Sequence, residues 1–172
     1  FIAATMTTEL TNTSKLREFV EELRRLKINI VKPSINNCFP EFRAINDKIY
    51  YGLGAIKNVG FEAVSNIVKE REINGKFKSL EDFMNRVNSK DVNKLQLEGL
   101  TKAGVFDEFD LDRNKIINSI PKILQQIKNI NDDKENNQTS LFEGNENTFS
   151  KLDYLPSKSW SKKELLSEEF KS

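Results

Sequence analysis

The spacing of apolar residues along the chain predicts a mostly helical protein. In most segments apolar residues recur every three or four positions, which is the period of one face of an α-helix. Residues 61–72 show the pattern with Phe61, Val64, Ile67 and Val68. The predicted helices cover residues 1–10, 14–26, 61–72, 80–87, 93–102 and 161–171, with a longer helix from Asp110 or Asp112 to about residue 130. The longer helix is expected to bury a stripe of isoleucines at spacings of four and three, namely Ile116, Ile120, Ile123, Ile127 and Ile130.

A different pattern lies between the second and third predicted helices. Residues 28–31 form a short apolar run that ends before Pro33, as a short strand would. Residues 42–45 and 48–51 flank the pair Asn46 and Asp47, which is typical of a tight β-hairpin turn. We therefore expect a mainly α fold with a small β-hairpin.

Polar residues in front of the apolar stripes predict how several helices begin and which side chains face inward. Ser14 is the expected N-cap of the second helix. Ser79 with Asp82, and Ser161 with Glu164, have the three-residue spacing of a capping box. In the helix of residues 93–102, Leu95 and Leu100 are expected to point inward, with Leu97 as a further candidate.

The segment of residues 51–60, YGLGAIKNVG, brings the hairpin to the third helix through a tight corner. Gly60 can take a positive φ at no steric cost, and Asn58 is among the non-glycine residues that best tolerate that region. Val59 would then point inward, while the first amides of the next helix face solvent beside Lys57. Unpaired amides at a helix start next to a lysine form a binding site for phosphate.

Lys102, Ala103 and Gly104 repeat the order of the first corner after residues 93–102. Both corners resemble the helix-hairpin-helix module, which contacts the DNA backbone without reading bases. Together they predict a tandem module, although the first hairpin glycine is replaced by Asn58. Gly54, Lys57, Asn58, Val59, Gly60, Lys102, Ala103 and Gly104 are the candidate DNA-binding residues. Gly104 suits a left-handed helix cap, and the alternative for either corner is a purely structural glycine cap.

Composition limits the kinds of site that this chain can form. The formal net charge of the 172 residues is +1, so DNA binding must depend on local basic patches. The single cysteine, Cys38, excludes a disulfide within the chain, and the absence of histidine argues against a zinc finger. We see neither a membrane-spanning run nor a signal peptide. The start without methionine and the charged last helix lead us to expect a piece of a longer polypeptide.

The composition changes after residue 131, where Asn, Asp, Glu and Lys dominate, as expected of an exposed linker. An apolar pair interrupts it in the segment QTSLF, residues 138–142. Leu141 and Phe142 could dock on the chain's own core, or they could enter a partner's pocket while Gln138 bonds nearby backbone. Both alternatives remain open from the residues alone.

The whole chain resembles an internal segment of the alpha subunits of bacterial DNA polymerase III, the replicative C-family polymerases. The most specific stretches are YGLGAIKNVG at 51–60, FKSLEDF at 77–83 and LTKAGVFD at 100–107. The resemblance implies the end of the fingers region at residues 1–38 and the hairpin with the tandem module at 39–131. A flexible linker at 132–150 and a helical lead at 151–172 into an OB-type domain would follow.

The resemblance also implies partners and a location. The tandem module would bind the backbone of primer–template duplex behind the growing primer end. Gln138, Leu141 and Phe142 match the family's motif for the β sliding clamp. Other replicase subunits would be further partners, and the protein would be cytoplasmic, without contact to a membrane.

The resemblance assigns no catalytic residue, metal ligand or cofactor to this segment. The acidic residues that hold two metal ions, expected to be Mg²⁺, would lie in a palm region before Phe1. The parent would be a DNA-directed DNA polymerase, a nucleotidyltransferase, and this segment would be non-catalytic. Two other hypotheses remain: a helical protein-interaction scaffold without DNA binding, and a nuclease or ligase fragment with similar hairpins.

Overall fold

The computed structural model describes residues 2–9, 12–110, 112–137 and 160–171. Within these ranges there are seven α-helices and three strands, so the predicted mainly α fold with a small β-hairpin is confirmed. The elements are α1 (Ile2–Thr8), α2 (Thr13–Arg25), β1 (Asn29–Val31), β2 (Arg43–Ile45), β3 (Lys48–Tyr50), α3 (Phe61–Asn74), α4 (Leu80–Arg86), α5 (Lys94–Lys102), α6 (Arg113–Asn137) and α7 (Lys162–Lys171). Single 3-10 turns occupy Leu53–Ala55 and Ser89–Asp91.

The three strands form one small sheet in the order β1-β3-β2. β2 and β3 are antiparallel, and their turn at Asn46 and Asp47 has φ values of 48° and 58°. Two consecutive positive φ angles match the twist of a hairpin, which confirms the predicted turn. β1 pairs in parallel with β3, with Ile30 opposite Ile49. The sheet therefore joins the predicted segment 1–38 to the predicted segment 39–131.

The apolar side chains form two clusters. The smaller one packs α1 and α2 against the hairpin, with Met6, Leu23 and Phe42 among its buried members. The larger one lies between α3, α4, α5 and α6 and holds the aromatic series Phe77, Phe83 and Phe106. The Phe83 ring lies 5.3 Å from Phe77 and 5.1 Å from Phe106, both edge to face. Edge-to-face contact is a favoured arrangement for aromatic rings, and this larger cluster supports both corners.

Two side chains are exposed although one was predicted on an apolar helix face and the other was predicted to point inward. Phe61 is 47% exposed and Leu95 is 57% exposed. In α3 the buried face consists of Val64, Ile67 and Val68, as predicted, and Phe61 stands at the first helical position. In α5 the buried face is set by Leu97 and Leu100, and Leu95 falls outside it.

The N-terminal caps follow the sequence signals with two differences. Asn12, rather than the predicted Ser14, caps α2 and accepts a bond of 3.2 Å from the Lys15 amide, because the helix begins at Thr13. The capping box of Ser161 and Glu164 is confirmed, since the side chain of each residue accepts a hydrogen bond from the backbone amide of the other. Ser79 caps α4 as predicted, whereas the Asp82 carboxylate accepts from the Lys78 amide instead of from Ser79.

α6 carries the predicted isoleucine stripe, with Ile116, Ile120, Ile123 and Ile127 buried. Asp112 caps this helix by accepting a 3.0 Å bond from the Lys115 amide. The helix continues to Asn137, so residues 132–137, predicted to belong to the linker, are helical. Asn131 anchors this part through a bond from its amide to the Val87 carbonyl.

A buried arginine holds the loop in front of the hairpin. Arg71 of α3 donates from Nη1 to the Ile35 carbonyl at 2.8 Å and to the Cys38 carbonyl at 2.7 Å. Burial lowers the pKa of Arg71 and raises the pKa of the Cys38 thiol. Asn36 adds a reciprocal pair of bonds, of 2.8 Å each, with the backbone of Phe77. Four hydrogen bonds thereby attach the loop to the larger cluster: two from Arg71 to loop carbonyls, and two between the Asn36 side chain and the Phe77 backbone.

None of the helices in the described ranges is long and apolar enough to cross a membrane.

Candidate nucleic-acid interface

The first corner begins with the turn Leu53–Ala55, which is attached to the loop that Arg71 holds in front of the hairpin. The Leu53 amide donates to the Phe39 carbonyl at 2.8 Å, and the Gly54 amide donates to the Pro40 carbonyl at 2.9 Å. A Cβ atom on Gly54 would lie 2.8 Å from the Phe61 ring and 2.9 Å from the Pro40 oxygen. Gly54 therefore permits a close approach of backbone and ring at the base of the corner.

The reversal itself occurs at Asn58 and not at Gly60. Asn58 has a φ of 65°, in the left-handed region that asparagine tolerates, whereas Gly60 has a φ of −73°. Of the two residues that could take a positive φ, Asn58 does so, because Gly60 is the N-cap of α3 and N-cap residues have an extended conformation. Asn58 thus supplies the left-handed position expected of a hairpin glycine.

Val59 points into the protein and is buried, as predicted. It packs over Gly99 of α5: a Cβ atom on Gly99 would lie 3.3 Å from Val59 Cγ2 and 2.6 Å from the Lys57 carbonyl oxygen. α5 therefore passes directly beneath the corner, and this is possible because residue 99 has no side chain. Gly99 was not among the predicted site residues, although a glycine inside a helical pattern is a recognised sign of close packing.

The outer face of the first corner is open to solvent. Lys57, Asn58, Gly60, Phe61 and Glu62 are all exposed. The first bond of the α3 ladder runs from the Val64 amide to the Gly60 carbonyl at 3.1 Å, so the amides of residues 61–63 precede it. No side chain in the described ranges caps this helix start.

The predicted anion site depends on these free amides, and phosphate binding there stays a prediction. The amides carry the positive end of the helix dipole, and the exposed Lys57 lies four residues before Phe61 in the chain. The Glu62 carboxylate in the first turn lowers the positive potential on that side. An approaching phosphate is therefore best placed on the side of Lys57 and Gly60.

The second corner is a closed helix cap. Gly104 has the predicted positive φ, 83°. The Val105 amide donates to the Leu100 carbonyl and the Gly104 amide to the Thr101 carbonyl, both at 3.0 Å, which is the bonding pattern of a Schellman motif. The Ala103 amide is also used, in a 3.1 Å bond to the Gly99 carbonyl. Unlike the first corner, this one has no free amide among residues 103–105.

Side chains from α6 and α7 cover the second corner. Arg113 binds Asp107 through Nη2 at 2.6 Å and Nε at 2.8 Å, and its Nη1 donates to the Lys102 carbonyl at 2.9 Å. The same Nη1 lies 2.6 Å from Glu169, while Lys102 Nζ lies 3.2 Å from Glu168. Gly104 is buried below them. A DNA contact of Lys102, Ala103 and Gly104 stays a prediction, and only the Lys102 side chain is placed to make one.

The charge state of Arg113 follows from its neighbours. Burial acts to lower the pKa of Arg113, but the hydrogen bonds to Asp107 and Glu169 outweigh it, so the pKa is raised above its usual value. Arg113 therefore stays protonated and holds both carboxylates.

The predicted clamp-binding residues Gln138, Leu141 and Phe142 lie outside the described residues. Among the residues that are described, no group of three or more acidic or cysteine side chains is placed to hold a metal ion.

The fold and its open first corner define a class of protein. A family model described as helix-hairpin-helix motif matches residues 27–116, which include both corners and the whole sheet. That match covers more than half of the chain, and the chain belongs to this helix-hairpin-helix family.

Relatives identify the kind of polypeptide in which this segment occurs. DNA polymerase III subunit alpha of Borreliella burgdorferi is 38% identical over 169 residues, which are 96% of this chain and 15% of the relative. The proteins of the same name from Campylobacter jejuni and Caulobacter vibrioides are 36% and 33% identical, over 83% and 98% of this chain and 12% and 15% of theirs. The resemblance to these alpha subunits is confirmed, and the chain spans less than a sixth of their length.

Proposed function

We propose that this chain is a non-catalytic segment of a replicative DNA-directed DNA polymerase and that it binds the backbone of duplex DNA. The observation that carries the proposal is the exposed first corner, where the amides of residues 61–63 precede the helix hydrogen-bond ladder and Lys57 is exposed. The name of its relatives, DNA polymerase III subunit alpha, supports the replicative role. The parent would act as a nucleotidyltransferase in the cytoplasm, with other replicase subunits as partners.

A site of this kind would hold DNA without recognising its sequence. Amides and lysine contact phosphate oxygens, which every sequence presents equally, so the contact fixes position but not base identity. Because such binding releases counterions, affinity falls steeply with salt. The segment would therefore help the polymerase to stay on any template.

The charge of Lys57 provides the test of the first corner. We expect Lys57→Glu to weaken binding of a labelled primer–template duplex about tenfold at low salt, because it replaces an attractive charge by a repulsive one beside the free amides. The measurement is fluorescence anisotropy at two salt concentrations, with two unrelated duplex sequences. Both sequences should bind equally, and the salt dependence should become shallower in the variant.

Lys69→Glu is the matched control, since Lys69 is an exposed lysine on α3, about two helical turns beyond the first corner. Equal weakening by the two variants would indicate a general charge effect and remove the case for a site at the first corner. The exposed Phe61 and Leu95 would suit the alternative function, a protein-interaction scaffold. A wild-type chain that does not bind duplex at low salt would favour that function.

We place the polymerisation chemistry outside this segment. Two metal ions, expected to be Mg²⁺, would align the primer hydroxyl and the incoming nucleotide in the parent, held by acidic residues of a palm region that the resemblance implies before Phe1. The role left for this chain is to hold the product duplex.

The motif at residues 138–142 supports a second part of the proposal, a tether to the sliding clamp. Gln138, Leu141 and Phe142 would provide one hydrogen-bonding group and two apolar side chains for a pocket on the clamp. Burial of two such side chains offers roughly 3–6 kcal/mol before ordering costs. A tether of this strength raises the effective concentration of the polymerase at the clamp while it remains releasable.

Leu141→Ala combined with Phe142→Ala is expected to remove most of the binding to a purified β clamp, measured by surface plasmon resonance. The same double variant should unfold in urea at nearly the wild-type midpoint, because its targets are expected to lie outside the core. A large loss of unfolding free energy would contradict the tether and place both side chains in the chain's own core. Lys57→Glu is the control here, because it should leave clamp binding unchanged.

A further inference from the structure

A cleft of about 740 Å³ separates the end of α2 and the strand β1 from the second corner and α7. Its floor is apolar, with Ile28 and Ile56 among the lining residues. The charged groups that line it are mostly basic. They are Arg24, Lys27, Lys32 and Arg113, against the acidic Asp107 and Glu169.

Three of these basic residues form a wall that is free to bind an anion. Arg24, Lys27 and Lys32 are exposed, and none of their side chains has an ion pair within the described part of the chain. Lys27 has a φ of 57° just after α2, which turns the chain into β1 at the edge of the cleft. The wall is therefore part of the folded framework, at the start of the segment that the family model matches.

α7 closes the opposite side of the cleft with its acidic face. Glu169 pairs with Arg113 inside the cleft, and Glu168 pairs with Lys102 at its edge. Leu166 also lines the cleft. The carboxylate of Glu169 thus pairs with the Arg113 guanidinium at 2.6 Å, and that of Glu168 with the Lys102 ammonium group at 3.2 Å. A carboxylate at such a position presents oxygens much as a phosphate does.

We propose that this cleft is a second binding site for the backbone of duplex DNA, and that the acidic face of α7 fills it until duplex replaces it. This proposal rests on the proposed function, since the ligand is the same duplex that the first corner binds. When α7 leaves, Lys102 and one edge of Arg113 join Arg24, Lys27 and Lys32 in a surface of positive charge. The duplex and α7 then compete for the same cations.

α7 can leave without disrupting the fold. Glu168, Glu169 and Lys102 are partly exposed, so their ion pairs are weak and screened by salt. Arg113 would keep both bonds to Asp107 and the bond to the Lys102 carbonyl, so it would not become an unpaired buried charge. Leu166 is still about half exposed in the docked position. Since α7 stays in the same chain, it can return when the duplex dissociates.

The test neutralises the two carboxylates in the whole chain. We expect Glu168→Gln with Glu169→Gln to tighten duplex binding about three- to tenfold at low salt, because two ion pairs no longer need to be broken. The matched control, Asp132→Asn with Asp133→Asn, makes the same change of net charge on exposed residues of α6. These lie roughly 28 Å from Arg113 at 1.5 Å per helical residue.

Two further measurements separate the cleft from a general charge effect. Arg24→Gln with Lys32→Gln, added to the Glu168 and Glu169 substitutions, should cancel the gain in affinity. Trp160 is the only tryptophan of the chain, is half-buried and precedes α7 by two residues. Its fluorescence in the wild-type protein should change when unlabelled duplex displaces α7, and should change in the same direction with added salt alone.

The outcomes distinguish this proposal from the proposed function. If duplex binds with sensitivity to Lys57→Glu, but the Glu168 and Glu169 variant binds no tighter than its control, the cleft proposal is wrong and the first corner stands. An unchanged Trp160 signal at saturating duplex would also overturn it. If neither the wild type nor the glutamine variant binds duplex at low salt, both proposals fail.

Discussion

Alanine at position 99 is expected to destabilise the fold by about 2 kcal/mol, although alanine normally stabilises a helix by about 1 kcal/mol relative to glycine. The added Cβ atom would lie 2.6 Å from the carbonyl oxygen of Lys57, which is backbone and cannot rotate away. Either α5 or the corner must move. The first corner is exposed whereas Gly99 is buried, so the corner is the part that can move. We therefore expect Gly99→Ala also to displace Lys57 and Asn58 and to weaken duplex binding.

Urea unfolding measures the first effect and duplex anisotropy the second. Gly60→Ala is the control, since its Cβ atom would meet only side-chain atoms, Gln96 Nε2 at 3.2 Å and Ala63 Cβ at 3.9 Å, and its φ of −73° suits alanine. Gly60→Ala should therefore cost clearly less than Gly99→Ala, on the order of 0.5–1 kcal/mol for the poorer N-cap. A Gly99→Ala protein as stable as the wild type, with unchanged affinity for duplex, would show that α5 does not support the corner.

Removal of the buried guanidinium of Arg71 is expected to cost about 3 kcal/mol of unfolding free energy. Arg71→Met keeps much of the side-chain volume but leaves the carbonyls of Ile35 and Cys38 without their donor. Each unsatisfied buried carbonyl costs about 1–3 kcal/mol. Part of the combined cost is offset because the variant no longer has to bury a charged guanidinium group. Arg71→Lys should recover only part of the loss, because one ammonium group on a flexible stem replaces a planar donor.

The Arg71 variant should also affect the first corner indirectly. The loop that Arg71 braces leads to Phe39 and Pro40, whose carbonyls accept the amides of Leu53 and Gly54. Hydrogen exchange at these two amides should become faster in Arg71→Met. Lys69→Met, on the exposed side of the same helix, should change neither the urea midpoint nor the exchange rates.

Local sequence signals predicted the elements of the fold well. The two-residue turn at Asn46 and Asp47, the isoleucine stripe of α6 and the cap at Ser161 each depend on residues a few positions apart. Such features are decided by backbone preference and helical period. The tight corner at residues 57–60 and the inward Val59 followed from the same kind of signal.

Features that depend on distant contacts were missed or assigned to the wrong residue. The sequence left open whether Gly60 or Asn58 takes the positive φ, and the N-cap role of Gly60 decides this in favour of Asn58. The need for glycine at 99 arises from a corner forty residues earlier. The second corner has the predicted glycine conformation, yet its surroundings depend on Arg113 and α7, which no local pattern relates to Gly104.

Composition alone also did not predict that the helix α6 continues beyond residue 131. Residues 132–137 are almost free of apolar side chains, but they continue α6 because Asn131 and Lys134 bond the carbonyls of Val87 and Asn85. A helix end needs no apolar face of its own when the preceding turns are packed. The predicted DNA and clamp contacts are of another kind, since they concern molecules outside the chain, and they remain proposals.

The parallel pairing of β1 with β3 has a consequence for anyone who shortens this polypeptide. A version trimmed to start at Phe39 would lack β1 and leave one side of β3 with unsatisfied amides and carbonyls. Bare strand edges recruit strands from other molecules, so such a fragment would be prone to self-association. A start before Lys27 retains the complete ladder and gives a safer unit for DNA titrations and crystallisation.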